Sequence, residues 1–188
     1  MIYWDNAATT YPKPAAVQQA GATALRQYGA NPGRGGHAMS LATSEQLYRC
    51  REAAAAFFGL SDPTGVIFTP NCTASLNLVI QGLLANGGRV IISDLEHNAV
   101  WRPVYALSPR FPRYDIAAWD ADEDRLVENF RRAIRPDTRL IVCTHASNVF
   151  GVTFPLRRLA ELAHMHGLLL CVDAAQSAGV LPIHMEQD

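Results

Sequence analysis

Leu168-Leu169-Leu170-Cys171-Val172-Asp173-Ala174-Ala175-Gln176 decides the fold. Five apolar residues run without interruption into an acid. A strand with one wet face alternates polar and apolar positions, whereas a strand covered on both faces does not. Arg89-Val90-Ile91-Ile92-Ser93 and Leu140-Ile141-Val142-Cys143 have the same uninterrupted character. Helical patterns lie between and around these runs. The spacing predicts a helix over 14–28, with Val17, Ala20, Ala24 and Tyr28 on one face. It predicts another over 43–58, with Leu47, Cys50, Ala54 and Phe57 aligned. There Thr43-Ser44-Glu45-Gln46 reads as a capping box and Gly59 as the stop.

Val66 to Thr69 reads as a short strand. Leu76, Val79, Ile80, Leu83 and Leu84 form the stripe of the helix that follows, ending at Asn86-Gly87-Gly88. A further helix starts near Asn98 and contains Pro103. Residues 108–120 are broken by Pro109 and Pro112, with room for a short strand near Tyr114. Residues 122–134 form a helix whose acids (Asp122, Glu123, Asp124) and arginines (Arg131, Arg132, Arg135) suit the helix dipole. Residues 155–166 form the last helix, stopped by Gly167. Strand and helix alternate through about five units. The expectation is an α/β three-layer sandwich with a mostly parallel sheet.

The composition excludes several classes of function. The chain has 188 residues, 49% hydrophobic and 18% charged, with a net charge of −1. No basic face is implied, which argues against a nucleic-acid partner. Cys50, Cys72, Cys143 and Cys171 form no C-x-x-C pair and read as free, largely buried thiols of a reducing compartment. No basic, apolar leader and no apolar run of about 20 residues is present. A cytoplasmic protein is expected. With no repeat or linker, residues 1–188 are expected to form a single domain. His164 and His166, two apart on a helix, share no face, so no metal site is expected.

Two segments point to a ligand. Phe68-Thr69-Pro70-Asn71-Cys72-Thr73 leads into a helix N-terminus, where free amides and the dipole favour an anion such as phosphate. The Thr73 hydroxyl either caps that helix or binds the anion. Asp173 ends a buried strand, where an acid is costly without a partner. A protonated ring nitrogen is one such partner, and a turn amide is another. Gln176, three residues on, could reach a ring hydroxyl. Together they suit pyridoxal phosphate (PLP). His97 and Asn148 follow the two other strands at the same edge, His97 suited to stacking or proton transfer. The glycine-rich stretch 28–36 reads as a loop, and His37 beyond it either lines a pocket or lies on the surface.

With those residues in view, the chain resembles the class V aminotransferase family, in particular its cysteine desulfurase and selenocysteine lyase branch. Tyr3-Trp4-Asp5-Asn6-Ala7-Ala8-Thr9-Thr10, Asn31-Pro32 with Arg34-Gly35-Gly36-His37, and Phe68 to Thr73 carry the likeness. Glu96-His97-Asn98-Ala99 with Trp101, Ser147-Asn148-Val149-Phe150-Gly151, and Val172 to Gln176 complete it. The resemblance implies fold type I of the PLP enzymes, with a seven-stranded mixed sheet and a homodimer. It implies that Cys72 and Thr73 hold the phosphate and that His97, the catalytic residue of this set, stacks on the ring. Asp173 would pair with the ring nitrogen and Gln176 with the phenolic oxygen. Asn148 would sit near that oxygen and the substrate carboxylate, and Asn6 and Ala7 would line the substrate side.

The resemblance also implies a Schiff-base lysine after the next strand. A small C-terminal domain would follow, with a substrate-binding arginine and a sulfur-accepting cysteine. The sequence ends at Glu186-Gln187-Asp188, before both. The only lysine, Lys13, lies in the N-terminal motif, and Cys72 lies in the phosphate turn, so neither substitutes. The parent enzyme is expected to convert L-cysteine to L-alanine plus an enzyme-bound persulfide, serving a sulfur-acceptor protein. Residues 1–188 alone are expected to be an inactive part of its large domain. A selenocysteine lyase, an aminotransferase or a kynureninase-like hydrolase would share these site residues. A truncated, non-catalytic paralogue acting as a binding or dimerisation partner is the non-enzymatic alternative.

Overall fold

The computed structural model describes residues 2–34, 36–107 and 114–186. The chain divides into two compact units, Met1–Phe68 with His184–Gln187, and Thr69–Ile183.

The first unit holds helices α1 (Ala15–Gln27) and α2 (Ala38–Phe57). α2 starts five residues before the expected capping box. His37 is its N-cap, and Nδ1 accepts from the Ser40 amide at 3.3 Å. Thr43 and Ser44 lie inside the helix because their hydroxyls bond back to the carbonyls of Met39 and Ser40. The stop at Gly59 is as expected. Gly59 takes φ +64°, and the Leu60 amide reaches the Ala55 carbonyl while the Gly59 amide reaches Ala56. The stripe expected on α2 is not buried, since only Ser40 and Ala55 are. Cys50 is exposed and Phe57 is 57% exposed.

The expected strand at 66–69 is absent. Pro63–Gly65 forms a 3₁₀ turn and the next residues run extended with no ladder partner among the described residues. The Val66 carbonyl is taken instead by the Arg51 guanidinium, which also lies 5.7 Å from the centre of the Phe68 ring. Residues 184–186 return to the end of α2. The Met185 amide donates to the Phe58 carbonyl, and Glu186 accepts from the Ser61 amide and hydroxyl.

The second unit contains α3 (Cys72–Leu84), β1 (Arg89–Ser93), α4 (Asn98–Leu107), β2 (Tyr114–Ala117), α5 (Glu123–Ala133), β3 (Thr138–Thr144), α6 (Leu156–Met165) and β4 (Leu169–Asp173). The four strands are all parallel, in the order β2-β1-β3-β4. Alternate residues of each strand explain the uninterrupted apolar runs. Ile91, Ile141 and Cys143 pack with Leu126 and Phe130 of α5 and Leu159 and Leu162 of α6. Val90, Ile92, Leu140 and Val142 pack with Leu76 and Ile80 of α3 and Val100 and Val104 of α4. Helices therefore cover both faces, and the expected α/β three-layer class is borne out.

The winding of the chain positions the site. The β1-α4-β2 connection moves outward on one face. The β2-α5-β3 and β3-α6-β4 connections move the opposite way on the other face. The direction reverses between β1 and β3. In open α/β sheets, ligands collect beyond the C-terminal strand ends at such a reversal. No described helix is long and apolar enough to cross a membrane.

Candidate active site at the C-terminal sheet edge

The loops after β1 and β3 diverge and leave an open groove of about 360 Å³. It is lined by residues 94–98 on one side and 147–150 on the other. His97 and Asn148, both expected at this edge, share that groove. His97 Nδ1 accepts from the Ala99 amide at 3.1 Å, and its carbonyl accepts from the amides of Val100 and Trp101. The residue therefore starts α4, with its ring anchored at one nitrogen. An accepting Nδ1 puts the ring proton on Nε2, so a donor remains for a ligand. Asn148 is exposed in a turn held by Ser147, whose hydroxyl accepts from the amides of Val149 and Phe150. Gly151 closes that turn at φ +66°.

The second part of the edge is built where α3 meets β4. Asn71, not Thr73, caps α3, and its Oδ1 accepts from the Ala74 amide at 2.9 Å. The Thr69 hydroxyl locks the turn through the Asn71 carbonyl and the Ser75 hydroxyl. Capping by Asn71 leaves Cys72 and Thr73 as the first two helical residues, both exposed, at the positive end of the helix. Asp173 is 6% exposed, and its Oδ1 accepts from the Ala175 amide at 3.0 Å. The Cys72 thiol donates to the same oxygen at 3.4 Å. The phosphate-type turn and the buried acid, 101 residues apart, are therefore in contact. Gln176 lies half-buried in the turn beyond Asp173.

The electrostatics of this edge separate its acids from its thiols. Partial desolvation of its thiol, although the residue as a whole is exposed, and then the neighbouring Asp173 carboxylate push Cys72 up to about 12. Burial and then the charges of Asp173 and Glu96 push Cys171 up to about 11. Burial pushes Cys143 well above its ordinary value. A nucleophilic cysteine needs a depressed pKa, so none of these three is poised to accept sulfur. The thiols are also less uniformly buried than the sequence suggested. Cys143 is buried, Cys171 is half-buried, and Cys50 and Cys72 are exposed.

Glu96 is a residue that sequence reasoning passed over. It is only 8% exposed, and its Oε1 accepts from the Ser93 hydroxyl at 2.5 Å and from the Thr144 amide at 2.8 Å. Oε2 is buried and has no hydrogen-bond partner among the described residues. The available signal was an acid three residues beyond a strand-ending serine. Thr144 is in register with Asp173, so Glu96 links β1, through β3, to the end of β4. Asn6 and Ala7 belong to the other unit, in an exposed turn closed by the amides of Ala8 and Thr9 on the Asp5 carbonyl. His37 is occupied in capping α2, and among the described residues no metal-binding cluster of His, Cys, Asp or Glu occurs.

The family model described as aminotransferase class-V matches residues 2–187. The chain belongs to the aminotransferase class-V family. Among this class-V chain's relatives is the probable cysteine desulfurase of Methanothermobacter thermautotrophicus, 35% identical over all of this chain and 46% of its own length. Solved structures agree. The apo cysteine desulfurase of Thermococcus onnurineus NA1 is 29% identical with a TM-score of 0.85, covering 99% of this chain and 47% of that one. SspA in complex with cysteine is 27% identical with a TM-score of 0.86, covering 100% and 54%. The class-V chain spans about half the length of the curated relatives it matches.

The class-V residues fit pyridoxal phosphate on their own chemistry. A helix N-terminus with exposed Cys72 and Thr73 suits the phosphate. A buried carboxylate held by one amide and one thiol suits a protonated ring nitrogen.

Proposed function

We propose that the complete protein is a PLP-dependent cysteine desulfurase that converts L-cysteine to L-alanine and leaves the sulfur as a persulfide on a protein cysteine. Residues 1–188 form the N-terminal part of its cofactor-binding domain. The observation that carries this reading is the contact between the α3 N-terminus and the buried Asp173 carboxylate through Cys72. It supports a ligand with an anion at one end and a protonated nitrogen at the other. The named relatives and the neighbour solved with cysteine support the choice of substrate.

In this reading, the first-turn amides of α3 and the Thr73 hydroxyl bind the phosphate. Asp173 keeps a proton on the ring nitrogen by its negative charge, while the Ala175 amide fixes the carboxylate. The ring of His97, anchored through Nδ1, stacks on the cofactor and leaves Nε2 free to hold a proton. Gln176 bonds the phenolic oxygen, Asn148 bonds that oxygen and the substrate carboxylate, and Asn6 and Ala7 line the substrate side. When bound, PLP supplies the electron sink that makes cleavage at the cysteine side chain accessible. The sulfur-accepting cysteine is none of Cys72, Cys143 and Cys171, because none of these thiols is readily ionised.

The complete protein works as a cytoplasmic homodimer and passes its sulfur to an acceptor protein. Residues 1–188 do not turn over cysteine by themselves. Their one lysine, Lys13, is bound to the Thr9 hydroxyl and the Thr10 carbonyl in the other unit. The test compares alanine release from L-cysteine by the complete protein with that of Asp173→Asn and His164→Ala. The expected loss is about a hundredfold or more for Asp173→Asn, with His164→Ala, on the exposed side of α6, unchanged. Equal effects of the two substitutions refute the assignment. Sustained alanine release by residues 1–188 refutes their inactivity.

A further inference from the structure

Glu96 is the one carboxylate among the described residues that is more than nine-tenths buried and whose second oxygen is itself buried without a hydrogen-bond partner. It lines the groove beside His97. Its other oxygen bridges two strands, accepting from Ser93 on β1 and from the Thr144 amide on β3. Thr144 and Asp173 are paired in register, and the His145 amide donates to the Asp173 carbonyl. The backbone that presents Asp173 is thus tied to Glu96 through the end of β3.

The titratable groups that act on Glu96 from β3 and β4 are electronegative. Cys143 on β3, Cys171 on β4 and Asp173 on β4 all act electrostatically with Glu96, and Ser93 and Thr144 are neutral donors. Each carboxylate holds two donors on one oxygen, but only in Glu96 is the second oxygen buried with no hydrogen-bond partner among the described residues. Two carboxylates in one poorly solvated edge do not both ionise cheaply. The one whose second oxygen is cut off from both water and donors keeps the proton.

We propose that Glu96 is a positioning residue of the proposed PLP site, acting in its protonated form: it pins the ends of β1 and β3 and leaves Asp173 as the single anion for the cofactor's ring nitrogen. This rests on the PLP reading above and deepens it. The raised affinity of Glu96 for its proton, caused first by burial, is consistent with that geometry. The neutral acid and a glutamine present the same shape, one acceptor to Ser93 and Thr144 and one donor at the second position.

The experiment uses the complete protein and its Glu96→Gln and Glu96→Ala variants. The cofactor-free protein is first examined by infrared spectroscopy from pH 5 to 9. A carboxylic-acid band that titrates near neutrality in the wild type and vanishes in Glu96→Gln is expected; the same band persisting in Glu96→Gln overturns the proposal. PLP affinity is then measured by absorbance titration. Glu96→Gln is expected to bind within about threefold of the wild type and Glu96→Ala about tenfold or more weakly, as for a lost buried hydrogen bond. Glu96→Gln binding as weakly as Glu96→Ala, or Glu96→Ala binding as well as the wild type, overturns the positioning role. A wild type that binds no PLP sinks the functional reading instead, and the infrared result then decides the proton on Glu96 alone.

Discussion

Replacing Glu96 by glutamine should change how stability depends on pH, by an amount that the structure sets. Burial pushes the Glu96 carboxyl from 4.5 up to about 7, against hydrogen bonds from Ser93 and Thr144 that pull it down and with the Asp173 charge that adds to the rise. The folded state therefore holds this proton more tightly than the unfolded state. Below about pH 4.5 both states carry it, and the contribution to stability is fully present. Between about 4.5 and 7 the unfolded chain has released the proton while the folded chain retains it, and stability is lost as pH rises. Above about 7 both states are ionised and the loss is complete. At 1.36 kcal/mol per pKa unit, the displacement from 4.5 to about 7 corresponds to about 3 kcal/mol. Glutamine carries no charge at any pH and escapes this loss.

The stability of Glu96→Gln relative to wild type should thus rise by about 3 kcal/mol between pH 4.5 and pH 8. Any fixed cost of the altered hydrogen bonds cancels in that difference. Urea denaturation of both proteins at matched pH values measures it. A difference that stays constant across this window, or that falls with pH, refutes the claim that Glu96 is buried with its proton.

Two further outcomes test the packing. Phe130 is fully buried between α5 and the sheet, with its ring edge-on to Phe154 at 6.4 Å, so Phe130→Ala should cost about 3–5 kcal/mol in urea unfolding; a cost below about 1 kcal/mol would mean that this face of the sheet is not covered as described. Gly88 takes φ +106° and an added Cβ would lie 2.5 Å from Arg139 Cδ, so Gly88→Ala should destabilise by about 1–3 kcal/mol. Adding Arg139→Ala should recover the steric part only, and full recovery would show that the backbone conformation costs nothing.

Local pattern explains why much of the site edge could be read early. Asp173 was recognisable because five apolar residues run unbroken into it, the mark of a parallel-sheet strand whose C-terminal end faces a ligand, although β4 is an edge strand with Leu169 exposed and Leu170, Cys171 and Val172 only half-buried. His97 and Asn148 followed from the same logic applied to β1 and β3, and they do meet in one groove. Where competing local signals existed, the pattern misled. Thr43 to Gln46 had the residues of a capping box, but their hydroxyls turn back onto carbonyls within a helix already begun at Ala38. Residues 66–69 had strand-like composition, but a strand exists only if another lies beside it, and the Val66 carbonyl went to Arg51.

By itself the sequence determined what depends on burial and on near neighbours: the strand segments β1, β3 and β4, the helix with Asp122, Glu123 and Asp124 at its positive end, the parallel α/β class, and the acid at the end of the last strand. Only the tertiary structure decided the strand order, and with it the reversal between β1 and β3 that opens the groove. It also decided that Cys72 meets Asp173 and that Glu96 lies under the Thr144 amide. The physical reason is the range of the interaction. Hydrophobic periodicity reports that a residue is buried, which is a property of its own segment, whereas the partner it is buried against depends on contacts 48 and 101 residues away in the chain.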